Sequence, residues 1–281
     1  MKKILVPTDF SKVTKAALAI ATEISRKTHA TVELLHIVES TNHHSLNVAG
    51  EVAHFEGIED VYTLKCIELA DRQMKAIIHD VNYVGVRFLP IIKVGNLHSH
   101  FTRQIADEPS DLIIMGTEGS SSFFKGIFNT SNAEKVVSHA TSMVLSVKDI
   151  PGNFELRNVL FATSFEEDAT EFIVKLKELQ DVFDFRLHLL YINSKMNYTK
   201  DTSEVVALCK EFVRKHNIEN YEFHIADAFT EYIGITDYAT NVNADVIAIS
   251  THQHHGSHWL GGISEDLVNY AEQPILTFKV K

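Results

Sequence analysis

Cysteine is nearly absent, with two residues in 281, Cys66 and Cys209, far apart and in helix-like surroundings. Such a chain builds no disulfide framework and no cysteine-based zinc site, and a reducing compartment is the natural reading. Long apolar runs are missing too: none approaches the ~18 residues of a membrane span. The opening Met1–Pro7 stretch meets proline and then Asp9 too soon for a signal-peptide core. Basic charge is also in short supply. Lys and Arg number 26 against 37 Asp and Glu, a net charge of −11, which argues against nucleic acid and anionic membranes as partners. Gly-x-Ser-x-Gly, a Walker loop and a cysteine pair are all lacking, and no nucleophile, base and orienting group converge in sequence. A soluble, cytoplasmic chain with no specified enzymatic chemistry is the expectation.

What the chain does hold is ordinary globular material, 45% hydrophobic and 22% charged, close to the average for soluble proteins. Its length fits two domains within the usual range of ~100–200 residues. Ile4–Phe10 reads as a short buried strand stopped by Pro7, and Ser11 as N-cap of a helix over Val13–Lys27 with apolar positions at helical spacing. A strand follows at Thr31–Val38, a polar loop from Glu39 to Gly57, a helix over Asp60–Asn82, a strand at Arg87–Val94 and a helix over Leu97–Glu108. Asp111–Met115 and Met143–Val147 read as strands flanking a helix from Ser131 to Ala140. Alternation of this kind implies parallel pairing through right-handed crossovers.

The order then restarts. Val159–Phe165 echoes Ile4–Phe10 at an offset of 155 residues, and Arg186–Ile192 echoes the second strand at the same offset. Asp245–Ile249 echoes Asp111–Met115, and Pro274–Phe278 echoes the fifth strand, at offsets shortened to 131–134. The expected domains are residues 1–148 and 156–281, with a linker at 149–155 whose Pro151-Gly152 pair marks a turn.

One stretch carries chemistry. Asp111 introduces an apolar run of strand length that ends in Gly116-Thr117-Glu118-Gly119, and small residues lead on to Thr130-Ser131-Asn132. A glycine turn lets backbone N–H groups approach an anion, and a helix starting near Ser131 would aim its positive end at the same point. Alone, Gly-x-x-Gly is a weak phosphate signal.

Together with Ile4-Leu5-Val6-Pro7-Thr8-Asp9-Phe10-Ser11 and Leu34-Leu35-His36-Ile37-Val38, that stretch resembles the universal stress protein family, in a tandem two-copy form covering nearly the whole chain. The resemblance implies two open five-stranded parallel sheets flanked by helices, of the adenine-nucleotide alpha-hydrolase-like kind, related by a pseudo-twofold. For one subgroup of the family it also implies ATP or AMP, with Mg²⁺ as an accompanying ion, bound at the strand C-termini. Carried over by position, Asp9 contacts the adenine or ribose side and Val38 sits beside the base. Gly116 and Gly119 approach the phosphates, and Ser131 caps them from the helix N-terminus. Pro7, Thr8, Met115, Asn129, Thr130 and Asn132 complete the set. The family's third glycine, just before the serine, is here Thr130, or Asn129 if the loop is counted one residue shorter. Asn is the better fit to positive φ. Asp9 as a plain cap of the first helix competes with its ligand role.

The second copy departs further, with Ser164 for the aspartate and Ser250-Thr251-His252-Gln253 for the glycine turn, and is expected to pair structurally with the first without ATP. The functional expectation is a stress-response protein whose adenine nucleotide state modulates an unidentified protein partner, with at most slow ATP hydrolysis. The alternative is a nucleotide-free interaction module, and a homodimer stays open. His252, His254, His255 and His258 are candidate metal ligands, since imidazole suits zinc, nickel or copper. A polar loop in place of a lost phosphate site is the preferred reading there, and also for His43, His44, His54, His98 and His100.

Overall fold

A computed structural model of the chain describes residues 1–39, 58–117, 140, 142–148, 154–166, 169–195, 200–252 and 262–280. The first half contributes β1 (Lys3–Pro7), α1 (Lys12–Thr28), β2 (Thr31–Val38), α2 (Ile58–Ile78), β3 (Arg87–Val94), α3 (Leu97–Asp107), β4 (Leu112–Gly116) and β5 (Met143–Val147). The second contributes β6 (Asn158–Ala162), α4 (Thr170–Phe183), β7 (Arg186–Ser194), α5 (Thr202–His216), β8 (Tyr221–Ala228), α6 (Glu231–Asn241), β9 (Val246–His252), α7 (Gly262–Tyr270) and β10 (Ile275–Val280). The expected helix from Ser131, up to residue 139, and residues 149–153 of the expected linker at 149–155 lie outside the described residues.

The strands share one ten-stranded sheet in the order β3-β2-β1-β4-β5-β10-β9-β6-β7-β8. Every pair is parallel except the central one, where β10 runs antiparallel to β5 with Leu276 opposite Leu145. The two five-stranded parallel sheets expected from the repeat are therefore fused edge to edge. Strands buried on both faces need continuous apolar runs. Ile4, Leu5 and Val6, and Leu112 to Met115, supply them at 1% exposure or less. On one face a core runs across the seam, from Ile24, Leu34 and Leu145 to Phe161, Phe172 and Leu189.

Local signals set the helix ends. In α1, buried Ala17, Leu18, Ile20, Ala21 and Ile24 form the inward stripe, and His29 adopts φ 59° so that its N–H closes on the Ser25 carbonyl. Asp184 and Asn217 end α4 and α5 in the same left-handed conformation. The second helix stops earlier than its periodicity suggests, at Ile78. Asp80 there accepts the Asn82 N–H and starts a separate 3₁₀ turn over Val81–Tyr83, a side-chain competitor to the helical ladder.

The halves also lock through side chains. Lys148 Nζ donates to the carbonyls of Asn269 (2.9 Å) and Ala271 (2.6 Å) at the end of α7, and Lys27 lies 4.3 Å from the Phe183 ring centroid. No described helix is long and apolar enough to cross a membrane.

Candidate functional site

In the first half the connections from β1 run through β2 to β3, and the chain then crosses to β4 on the other side of β1. That reversal opens a crevice at the carboxyl ends of β1 and β4, where open α/β sheets bind ligands. Pro7 ends β1 opposite Leu35, buried. Thr8 is 1% exposed, and its N–H reaches the Leu35 carbonyl at 2.8 Å. Its hydroxyl accepts the Phe10 N–H at 3.0 Å, a local turn that holds Phe10 at φ 63°. The strained residue is braced by His36, whose ring lies 4.6 Å from that of Phe10 and whose Nδ1 donates to the Thr8 carbonyl at 2.7 Å.

Asp9 stands at the rim. Its Oδ1 accepts the Ser11 N–H at 3.0 Å and the Thr14 hydroxyl at 2.9 Å, so the carboxylate orders the start of α1, while Ser11, at the capping position, makes no side-chain capping bond. Oδ2 has no hydrogen-bond donor among the described residues. The cap reading of Asp9 is thus met by geometry that leaves one oxygen available.

Gly116, the last residue of β4, closes the floor. A Cβ there would lie 2.6 Å from the carbonyl carbon and oxygen of Val13 and 3.0 Å from the Thr14 nitrogen. The strand end and the first turn of α1 are in main-chain contact, and this requires glycine. Thr14 touches both Gly116 and Asp9, which brings the two candidates to a single helical turn. Met115 is fully buried and supports the strand from within. Val38, 5% exposed, ends β2, and its carbonyl accepts the Gly95 N–H at 2.9 Å. Pro7, Thr8, Asp9, Met115 and Gly116 therefore converge, with Val38 at the end of the neighbouring strand. Gly119, Asn129, Thr130, Ser131 and Asn132 lie outside the described residues, as do His254, His255 and His258 and the side chain of His252. Thr14 and His36 were not singled out from sequence. The hydroxyl five residues after Asp9 and the histidine in the Leu34–Val38 motif were the available signals.

The second half repeats the scaffold without the polar chemistry. Thr163 N–H reaches the Leu190 carbonyl at 3.0 Å, Phe165 N–H reaches the Thr163 hydroxyl at 3.1 Å, and Phe165 has φ 64°. Ser164 stands in place of Asp9 and, among the described residues, accepts the Glu166 N–H at 3.4 Å. Tyr191 replaces His36, and Phe165 sits among Tyr191, Phe212 and Phe223. The strand position of Gly116 is taken by Ser250, whose Cβ has no room under a helix packed as α1 is. The helix α4 begins three residues later along the repeat than α1, at Thr170. The cavity lined by Ile24, Leu145, Phe154, Leu176, Phe185 and Leu276 lies between the halves, away from both crevices, and carries no polar group.

Comparison with known proteins bears on this geometry. The sequence model of the universal stress protein family matches residues 1–148. A universal stress protein of Methanocaldococcus jannaschii is 32% identical over 154 residues, covering 52% of this chain and 94% of that protein. Among solved structures, a universal stress protein of Archaeoglobus fulgidus superposes with a TM-score of 0.76 at 20% identity, over 99% of this chain and 98% of that one. A Pseudomonas aeruginosa protein of unknown function superposes at 0.65 with 16% identity, over 99% and 92% of the two chains. At these identities the structural matches speak to the fold alone.

Proposed function

The chain belongs to the universal stress protein family, and from that premise we propose that it is a cytoplasmic stress-response protein whose first half, residues 1–148, binds an adenine nucleotide. Residues 149–155 serve as the linker, and residues 156–281 form a partner unit without a nucleotide. The nucleotide is ATP, carrying Mg²⁺ on its phosphates, or AMP, and its state alters the hold on a protein partner. The observation that carries this reading is the convergence of Asp9 and Gly116 on the first turn of α1 at the strand-order reversal. The available oxygen of Asp9 suits a ribose hydroxyl or an amino group, and Val38 offers an apolar wall. The amino end of α1 brings a positive dipole to the crevice. A nucleotide-free interaction role is supported for the second half alone, where Ser164, Tyr191 and Ser250 replace the equivalent polar and glycine positions.

Calorimetric titration of Mg-ATP and of AMP into the full chain tests this. One site per chain is expected, weakened about 10- to 100-fold in Asp9→Asn, the usual span for a hydrogen bond to a charged group. Asn keeps the Oδ1 acceptor for Ser11 and Thr14, so the fold survives the substitution. Flat heats from the folded wild type would sink the nucleotide reading, and two sites per chain would sink the division of labour.

A further inference from the structure

At the amino ends of β7 and β8, far from the crevices, three side chains turn toward one point. His188 on β7 is register partner to Glu222 on β8, and His224 follows Glu222 by two residues, so all three share one face of the sheet. Their ligand atoms lie within 4.8 Å of one another. Glu222 Oε2 is 3.7 Å from His188 Nδ1 and 3.5 Å from His224 Nε2. Both imidazole nitrogens are buried and, among the described residues, make no hydrogen bond of good geometry, the Glu222 carboxylate standing only at ion-pair distance. His188 itself is 4% exposed. Buried polar atoms in folded proteins are nearly always satisfied, and two that face the same carboxylate oxygen need an explanation.

The surroundings prepare these atoms for a cation. The other ring nitrogen of His188, Nε2, lies 3.2 Å from Asn158 Oδ1. An amide oxygen can only accept, so Nε2 carries the hydrogen and Nδ1 presents its lone pair, the outer-shell arrangement of metal-bound imidazoles. Glu222 Oε1 accepts from Arg186 Nη1 at 2.5 Å, which turns Oε2 toward the histidines. Tyr238 of α6 packs on the His224 ring at 4.7 Å and closes one side.

The internal repeat supplies a control. In the first half, Glu33 and Lys3 stand where His188 and Asn158 stand, and they form an ion pair at 2.9 Å. By strand register, Leu89 and Ile91 occupy the places of Glu222 and His224. One copy fills this point with its own cation, and the other replaces four positions together and leaves two imidazole nitrogens facing one carboxylate oxygen. The two N···O separations, 3.7 and 3.5 Å, sit near the ~3.3 Å edge of a tetrahedron with bonds of ~2.0–2.1 Å.

We propose that His188, Glu222 and His224 bind one borderline divalent transition ion, with zinc as the reference, clamping the edge strand β8 to β7. The N/N/O donor set excludes the hard cations magnesium and calcium, which call for oxygen donors.

Chelator-treated full-length protein titrated with Co²⁺, read by visible absorption, and with Zn²⁺, read by competition and thermal denaturation, tests the site. One ion per chain and a raised melting temperature are expected. His224→Ala and Glu222→Gln, at partly exposed positions, should keep the native circular dichroism and lose tight binding and the thermal shift. Asn158→Ala should weaken binding about 10- to 100-fold. Absence of binding by the wild type would overturn the proposal, and so would unchanged binding in both His224→Ala and Glu222→Gln. Binding lost only when His252, His254, His255 and His258 are all replaced by alanine would transfer the ion to that loop and overturn it equally.

Discussion

Gly116 shows how one missing Cβ can be a packing requirement at the edge of a candidate site. Family resemblance gives it a phosphate-side role, and the structure adds a requirement of its own, main-chain contact with Val13 and Thr14. Gly116→Ala should therefore destabilise the fold by about 1–3 kcal/mol, the usual cost of forcing an extra group into a packed site, read as a lower urea midpoint without any ligand. A neutral result would mean that α1 yields easily at its first turn. Nucleotide affinity measured on that variant would mix two effects, which is why Asp9→Asn is the cleaner probe. Asp9 offered both a cap and a ligand reading from sequence; the structure shows the cap through one carboxylate oxygen, and the other oxygen leaves room for the proposed ligand role. Thr14 was not legible, because its hydroxyl matters only once the β1–α1 turn has folded back on itself.

Among the elements, the strands were the easiest to foresee: Thr31–Val38, Arg87–Val94 and Met143–Val147 have the extents their apolar runs indicate. The edge strand β8 escaped notice because Tyr221–Ala228 alternates Glu222 and His224 with Phe223 and Ile225, and alternation over so few residues is weak without knowing its neighbour. The His188–Glu222–His224 cluster was lost with it, since its members meet across strands some 35 residues apart, whereas the crowded histidines of 252–258 drew the eye by adjacency. The strands also share a clasp that recurs in both halves. Asp111 Oδ2 accepts the N–H groups of Lys2 (2.5 Å) and Lys3 (3.0 Å), and Asp245 Oδ2 accepts those of Arg157 (2.7 Å) and Asn158 (2.8 Å). Burial pushes the Asp111 carboxyl upward, but the two N–H donors, the amino terminus and Lys175 outweigh it and hold it below its usual 3.8. A depressed carboxylate stabilises the fold above its unfolded value, and that contribution fades as pH falls through the folded value. Urea denaturation at pH ~6 and at successively lower pH, down through the ordinary aspartate range, should therefore show a steeper loss in wild type than in Asp111→Asn. Parallel pH curves would show that the clasp is indifferent to charge.

At the scale of the molecule, the pairing of β5 with β10 leaves β3 and β8 as the sheet edges among the described residues. Each half alone would bare its last strand, a ready template for another chain. Joining them in one polypeptide turns that encounter into an intramolecular event, with an effective concentration of order millimolar for a short linker. The melting temperature should accordingly stay constant over a hundredfold dilution. A downward drift on dilution would reveal a contact between separate chains. The seam also bears on inheritance: halves held in a fixed ratio never trade partners with one another's copies, so one crevice can keep its polar rim while the other fills with Phe165 and Tyr191. Subunit exchange in a pool of identical single-copy chains would offer no such freedom, because every change would appear on both sides at once.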